Sequence, residues 1–259
     1  MMTGVTRPHV VDLTHAFAPG QPHGPQFDDE QRYCGMTIEQ DGFDTAYHRI
    51  AGAWGTHVDA PAEMVAGGRT IDAIPAGELV LPLIVFDISA EVAADPDRCL
   101  TLPDVLQWEQ RHGHVPAGCF AALRTDWSRR WPDAAAMHNR DAQGIAHTPG
   151  WTLEALHHLL DTRSVTAIGH ETINTDPGMW TTTEAPDGGT GPDSARRLHA
   201  CEAYVLDHDR YQVEILTNLH SLPPTGAHIV VGVGNAQQST AFPARVLALL
   251  SRDRPADHH

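Results

Sequence analysis

The sequence predicts a mixed α/β or α+β domain, on three observations. Short apolar, β-branched runs recur along the chain, such as Val10–His15, Cys119–Arg124 and Ala227–Val233. A few segments with helical spacing separate them, and Gly/Pro-rich stretches punctuate the joins. With 259 residues the chain can bury a full core.

In chain order, Val10–His15 reads as a short strand running into a loop from Pro19 to Pro25, and Ala46–Ile50 as a second strand. Leu79–Ile88 is a continuous apolar run, hence a buried strand, and Pro82 places its start after that residue. Leu102–His112 has Pro103 near its front and Thr101 as a candidate cap, the pattern of a helix start. After the strand Cys119–Arg124, residues Asp126 to Gly150 read as a long polar loop holding Trp127, Trp131 and five Arg or His residues. Thr152 can cap a helix whose Leu153, Leu156, Leu159 and Leu160 mark one face. Ser164–Gly169 is a further strand, Gly188–Gly191 a loop, and Tyr211–Leu216, Ala227–Val233 and Phe242–Leu250 complete the core. The expected organisation is a single domain over 1–259, with a disordered His-rich tail from about 253 to 259.

Composition narrows the function. The net charge of −16 repels nucleic acid and anionic lipid, and no basic patch offsets it. No apolar run reaches the ~18–20 residues needed to cross a bilayer. The opening residues lack a charged leader followed by an apolar stretch, so the expectation is cytoplasmic. The four cysteines are scattered, which disfavours a disulfide framework or a thiol-rich zinc site. The 18 histidines are about three times an ordinary share, which turns attention to metal and acid/base chemistry.

The segment Gly55-Thr56-His57-Val58-Asp59-Ala60-Pro61 carries that chemistry. If it is extended, His57 and Asp59 point to the same face, so an imidazole and a carboxylate can hold one ion. Gly55 permits a turn or a close approach, and Pro61 ends the strand. By itself H-x-D is too common to define a site.

The longer string resembles the cyclase family that includes bacterial kynurenine formamidase and isatin hydrolase. Its signature H-x-G-T-H-x-D-x-P-x-H is matched by Gly55, Thr56, His57, Asp59 and Pro61. The resemblance extends through Asp12-Leu13-Thr14, Arg69-Thr70-Ile71-Asp72, Asp87, Leu123-Arg124-Thr125-Asp126, Ala167–Thr172, Glu214 with Asn218-Leu219, and Leu222-Pro223. It implies a β-barrel-like core of mixed strands with flanking helices, a homo-oligomer (dimer or tetramer), and a divalent ion serving hydrolysis of an amide, lactam or lactone carbonyl.

Two signature histidines are absent: Ala53 stands at the first and Glu63 at the last. In two-metal relatives the first is a ligand, so one ion is expected here. Glu63 can serve as general base or ligand, or can simply face solvent or pair with Arg69. The family's late ligands lie twelve residues apart, which maps them onto Glu202 and Glu214. Together with His57 and Asp59 they form an oxygen-rich set that suits Mn²⁺, with Zn²⁺ or Mg²⁺ as alternatives. Such a set carries excess negative charge, so one of Glu63, Glu202 and Glu214 holds a proton or a cation compensates. His170, at a strand end, is a second candidate for moving the proton or touching substrate, with a capping role as the alternative. His48 reads as structural or substrate-facing. The tryptophans from 127 to 151 either line an aromatic pocket or anchor the loop.

The expected activity is metal-dependent hydrolysis of a small organic molecule, with kynurenine formamidase itself disfavoured by the two lost histidines. A metal-dependent cyclase or dehydratase acting through an enolate is the alternative, and a non-catalytic small-molecule binder a third.

Overall fold

The computed structural model describes residues 8–182 and 191–250. The tail from about 253 and most of the Gly188–Gly191 loop lie outside the described residues. The described residues form ten strands: β1 (His9–Asp12), β2 (Gln31–Met36), β3 (Thr45–Arg49), β4 (His57–Asp59), β5 (Val80–Asp87), β6 (Phe120–Arg124), β7 (Ala167–His170), β8 (Tyr211–Glu214), β9 (Ala227–Val233) and β10 (Ala241–Leu250).

Eight of them form one sheet in the order β1-β10-β4-β8-β7-β6-β5-β9, and β9 also pairs with β10. That last pairing closes seven strands into a mixed barrel, as the family resemblance implied. β5, β6, β7 and β8 run parallel, linked by segments containing helices. β4, β9 and β10 run antiparallel to their neighbours. Closure depends on the ten-residue β10, whose first three residues pair with β4 and whose remaining seven pair with β9. Closing the sheet this way leaves it no open edge there.

Alternation along the strands sorts side chains between two apolar layers. Val58, Leu83, Val85, Phe120, Tyr211, Val213 and Val246 belong to one buried cluster, which fills the barrel. Ile84, Phe86, Ala121, Leu123 and Ile168 point the other way, where Val105, Leu156 and Val205 of the flanking helices cover them. His57 and Asp59 flank Val58, and Gln212 and Glu214 alternate with Tyr211 and Val213. The polar residues of β4 and β8 therefore stand on the outer face of the barrel.

Several sequence expectations need adjustment. β5 begins at Val80, ahead of Pro82, because β6 pairs with it only from Leu83 onward. At Pro82 the strand has a partner on one side only, the edge condition under which proline is tolerated. The polar stretch after Asp126 contains two short helical turns, Trp127–Arg130 and Ala134–His138. β2 pairs with β3 in an arm whose residues are almost all exposed, and only β3 was legible beforehand. Asp104 completes a capping box with Thr101 at the start of the helix Leu102–His112.

Gly169 in β7 faces the barrel interior, next to His170. A Cβ there would sit 2.7 Å from Phe120 Cζ and 2.9 Å from both Leu216 Cδ1 and the Val213 carbonyl oxygen. The carbonyl is backbone of the neighbouring strand and cannot swing aside. Gly169→Ala is expected to lower unfolding stability by about 1–3 kcal/mol in urea titrations, the cost of overpacking a filled core. An unchanged midpoint would show that β7 and β8 are not held this tightly.

Candidate metal centre

β4 is extended and wholly buried, so His57 and Asp59 share a face as their spacing predicts. Gly55 takes a left-handed φ of 63°, the turn that brings the chain into this short strand. His57 Nδ1 lies 2.8 Å from the Gly55 carbonyl. A carbonyl only accepts, so Nδ1 carries the proton and Nε2 is the nitrogen turned to the acids. His57 Nε2 is 3.1 Å from Asp59 Oδ1 and 3.7 Å from Glu214 Oε2.

The sheet register explains the third member. β4 and β8 run antiparallel with His57 opposite Glu214 and Asp59 opposite Gln212. Cross-strand neighbours on one face come within about 5 Å at Cβ, so a residue 157 positions away in sequence joins the site. Ligand atoms of His57, Asp59 and Glu214 all lie within 4.8 Å of one another, and those of Asp59, Glu63 and Glu202 form a second such group. Asp59 belongs to both. Glu63 arrives on the helical turn Pro61–Glu63, which Pro61 opens, and Glu202 on the first turn of the helix Ala200–Asp207. All five candidates line one cavity of about 190 Å³, together with Ala53, where the family signature has a histidine.

Four carboxylates in so small a buried space shift one another. Burial pushes Glu63 up to about 11, with the neighbouring Asp59 and Glu202 charges adding to it. Burial likewise raises Glu202, reinforced by Asp59, and raises Glu214 well above the ordinary carboxylate range, reinforced by Asp59 and Glu202. Asp59 goes the other way: burial opposes its charge, but the adjacent His57 outweighs that and holds it ionised. His57 is raised, since Asp59 overcomes the desolvation that would lower it. Burial and mutual repulsion thus favour the neutral form of the glutamates, one of the two ways the cluster's excess charge can be balanced.

Two residues outside the sequence expectation organise this centre. Gln212 is fully buried, and the two N–H groups of its Nε2 are shared among Asp59 Oδ2 at 3.2 Å, Glu202 Oε1 at 3.3 Å and Glu214 Oε1 at 3.2 Å. Thr175 Oγ1 donates to Gln212 Oε1 at 2.7 Å, which fixes the amide's orientation. Asp176, also fully buried, accepts from the Cys201 and Glu202 backbone N–H groups at 2.8 and 3.0 Å and so holds the helix turn that carries Glu202. Gln212 was within reach of the alternation argument that paired His57 with Asp59, since it lies two residues before Glu214. Asp176 carried no local signal. His199 Nδ1 stands 3.4 Å from Glu202 Oε2 at the spacing of one helical turn.

His170 is fully buried at the end of β7, 3.4 Å from Glu214 Oε1, and does not line the cavity. Burial drives it down to about 3, so it is a neutral imidazole behind Glu214. His48 pairs with Glu30 at 2.6 Å. Trp127 and Trp151 are core residues and Trp131 stacks on His15, so these tryptophans anchor the loop and none lines the cavity.

Known proteins resemble this chain in sequence and fold. Residues 11–177 fit the family model described as "Putative cyclase". The isatin hydrolase of Roseibium aggregatum is 35% identical over 205 residues, covering 76% of this chain and 72% of that protein. Among solved structures, isatin hydrolase A from Ralstonia solanacearum superposes with a TM-score of 0.82 at 34% identity, covering 94% of this chain and 92% of that one. An isatin hydrolase bound to the product analogue thioisatinate also gives a TM-score of 0.82, at 29% identity and the same coverage. The family match spans most of the chain and agrees with the signature around His57 and Asp59: the chain belongs to the cyclase family.

Proposed function

We propose that the chain is a divalent-metal-dependent hydrolase that opens the C–N bond of a small cyclic amide of the isatin type. The observation that carries this reading is the convergence of His57 and four carboxylates on a single cavity.

The residues fit a divalent ion. Ligands opposite one another across Mn²⁺ or Mg²⁺ lie about 4.2–4.4 Å apart, within the 4.8 Å spread of each group. Glu63 Oε2 is buried with no hydrogen-bond partner among the described residues, a costly state that a cation relieves. His57, Asp59 and Glu214 are assigned as ligands, with Glu202 completing the set. One nitrogen, several oxygens and no thiol favour Mn²⁺ over a structural zinc. Ala53 lines the cavity where the family signature has its first histidine, a ligand in two-metal relatives, which supports one ion rather than two. When bound, such an ion polarises the substrate carbonyl and makes water a better nucleophile.

The chain's own residues supply the rest. Phe27, Met64, Ile173 and Ile215 give the cavity apolar walls that suit a flat ring and keep bulk water out. Water oxygen bonds to the carbonyl carbon, the C–N bond breaks, and the released nitrogen takes a proton. Glu63 faces the cavity beside Asp59. With the neighbouring carboxylates neutralised by a cation and its own proton released, it is assigned to accept the water's proton and return it to that nitrogen. His170 is not assigned the proton transfer, since it does not reach the cavity. In the hairpin arm, Tyr33, Met36, Ile38, Phe43 and Tyr47 are exposed, which supports a homo-oligomer. No helix among the described residues is long and apolar enough to cross a membrane, and a cytoplasmic location remains part of this proposal.

Chelator-treated protein is expected to lose isatin ring opening, followed by absorbance, and to regain it on adding Mn²⁺. Retained activity after complete metal removal, verified by elemental analysis, would contradict the reading. Glu63→Gln should keep the metal and lower kcat by about 10²–10⁴-fold, whereas His57→Ala should lose both metal and activity. Gln212→Leu should weaken metal affinity about 10–100-fold by calorimetry, because three ligand carboxylates lose their shared donor. An affinity unchanged in Gln212→Leu would leave Gln212 without a role in the centre.

A further inference from the structure

The polar stretch after Asp126 brings a group of Arg and His residues near the metal centre, and most have evident partners. Arg129 pairs with Asp126, and Arg130 lies over the Trp127 ring at 3.5 Å. His147 bridges Asp97 and Asp141. His138 and Arg140 instead line a second cavity of about 180 Å³. Gly24, Gln26, Ile173, Asn174 and His199 line both this cavity and the metal-centre cavity, so the two share a wall.

Their linings differ in kind. The metal-centre cavity holds Asp59, Glu63, Glu202 and Glu214. Among the described residues no carboxylate lines the second cavity, where Thr148, Thr181, Thr182, Asn174 and His138 accompany the Arg140 guanidinium. Arg140 has no carboxylate partner among the described residues, and its one hydrogen bond there runs from Nη1 to the Gly144 carbonyl at 2.6 Å. The remaining N–H groups of the fork are left for a ligand. In a chain of net charge −16, an unpaired guanidinium beside hydroxyl and amide groups is a place where an anion gains more than it loses to the surrounding field.

We propose that the second cavity is a recognition subsite for a carboxylate on the substrate, so that the natural substrate is an amide or lactam bearing an acidic arm rather than an unsubstituted ring. The arm lies against Arg140, aided by the threonine hydroxyls, while the amide carbonyl occupies the metal centre. This rests on the hydrolase reading above for the bond that is cleaved. Recognition of the arm involves no covalent step.

The test uses the full-length, Mn²⁺-loaded protein and isatins carrying, at N1 or ring carbon 5, one to four methylenes ending in a carboxylate. Each acid is compared with its primary amide. At the best chain length the acid is expected to show a KM about tenfold below that of the amide, the worth of a charge-assisted hydrogen bond. Arg140→Gln should erase that difference, Arg140→Lys should restore part of it, and neither should alter turnover of isatin itself. The proposal is overturned if no chain length favours the acid, or if Arg140→Gln changes isatin and the acids alike. Should none of these compounds be turned over, the hydrolase reading fails separately. Binding calorimetry of the same acids and amides then decides the subsite: a preference for acids that depends on Arg140 supports it, and its absence overturns it.

Discussion

The structure is organised around a buried excess of negative charge. Asp59 is ionised beside His57, and three glutamates crowd the same cavity. Burying that many carboxylates is costly unless protons or a cation neutralise them, and among the described residues no lysine or arginine lines the cavity. The counter-charges those residues offer there are imidazoles. A cavity of this kind is built to be completed by a cation, and the neutral donor Gln212 is what can link three carboxylates without adding charge of its own.

The barrel makes this arrangement possible by separating its two faces. Apolar residues of β4 and β8 fill the interior, and the alternate positions carry the polar centre outward. The centre therefore sits on a rigid, fully paired surface, while the pieces that cover it come from less regular segments: the turn bearing Glu63 and the helix bearing Glu202. Asp176 ties that helix to the chain following β7 through two backbone hydrogen bonds. Ligands on strands set the position, and residues on turns and helix ends set access and chemistry. Both the shared cavity wall and the change from acidic to donor-rich lining follow from the same division.

Much of this was legible in the chain. Spacing puts His57 and Asp59 on one face, since a two-residue interval in a strand needs no tertiary information, but only the longer family string marked them as a site. The continuous apolar runs of β5, β6 and β9 mark buried strands, although Pro82 misplaced the start of β5 because its one-sided pairing is a property of the sheet. Glu202 and Glu214 were reached only through the family's twelve-residue interval; periodicity alone could not bring Glu214 across from β8 to His57. His170 lay at an expected strand end, yet its depth behind Glu214 depends on how β7 and β8 pack. β2 gave no signal, since a strand exposed on both faces has no apolar alternation. Asp176 was invisible for a related reason: an aspartate that receives a helix start from a distant segment looks like any loop aspartate.

The central claim is that one divalent cation is held by His57, Asp59 and Glu214. Its most direct test is anomalous diffraction at the manganese edge from crystals grown with Mn²⁺. The account predicts a single peak about 2.0–2.3 Å from His57 Nε2 and from carboxylate oxygens of Asp59 and Glu214. A cavity holding only water hydrogen-bonded to those side chains, in protein that still opens isatin, would contradict it.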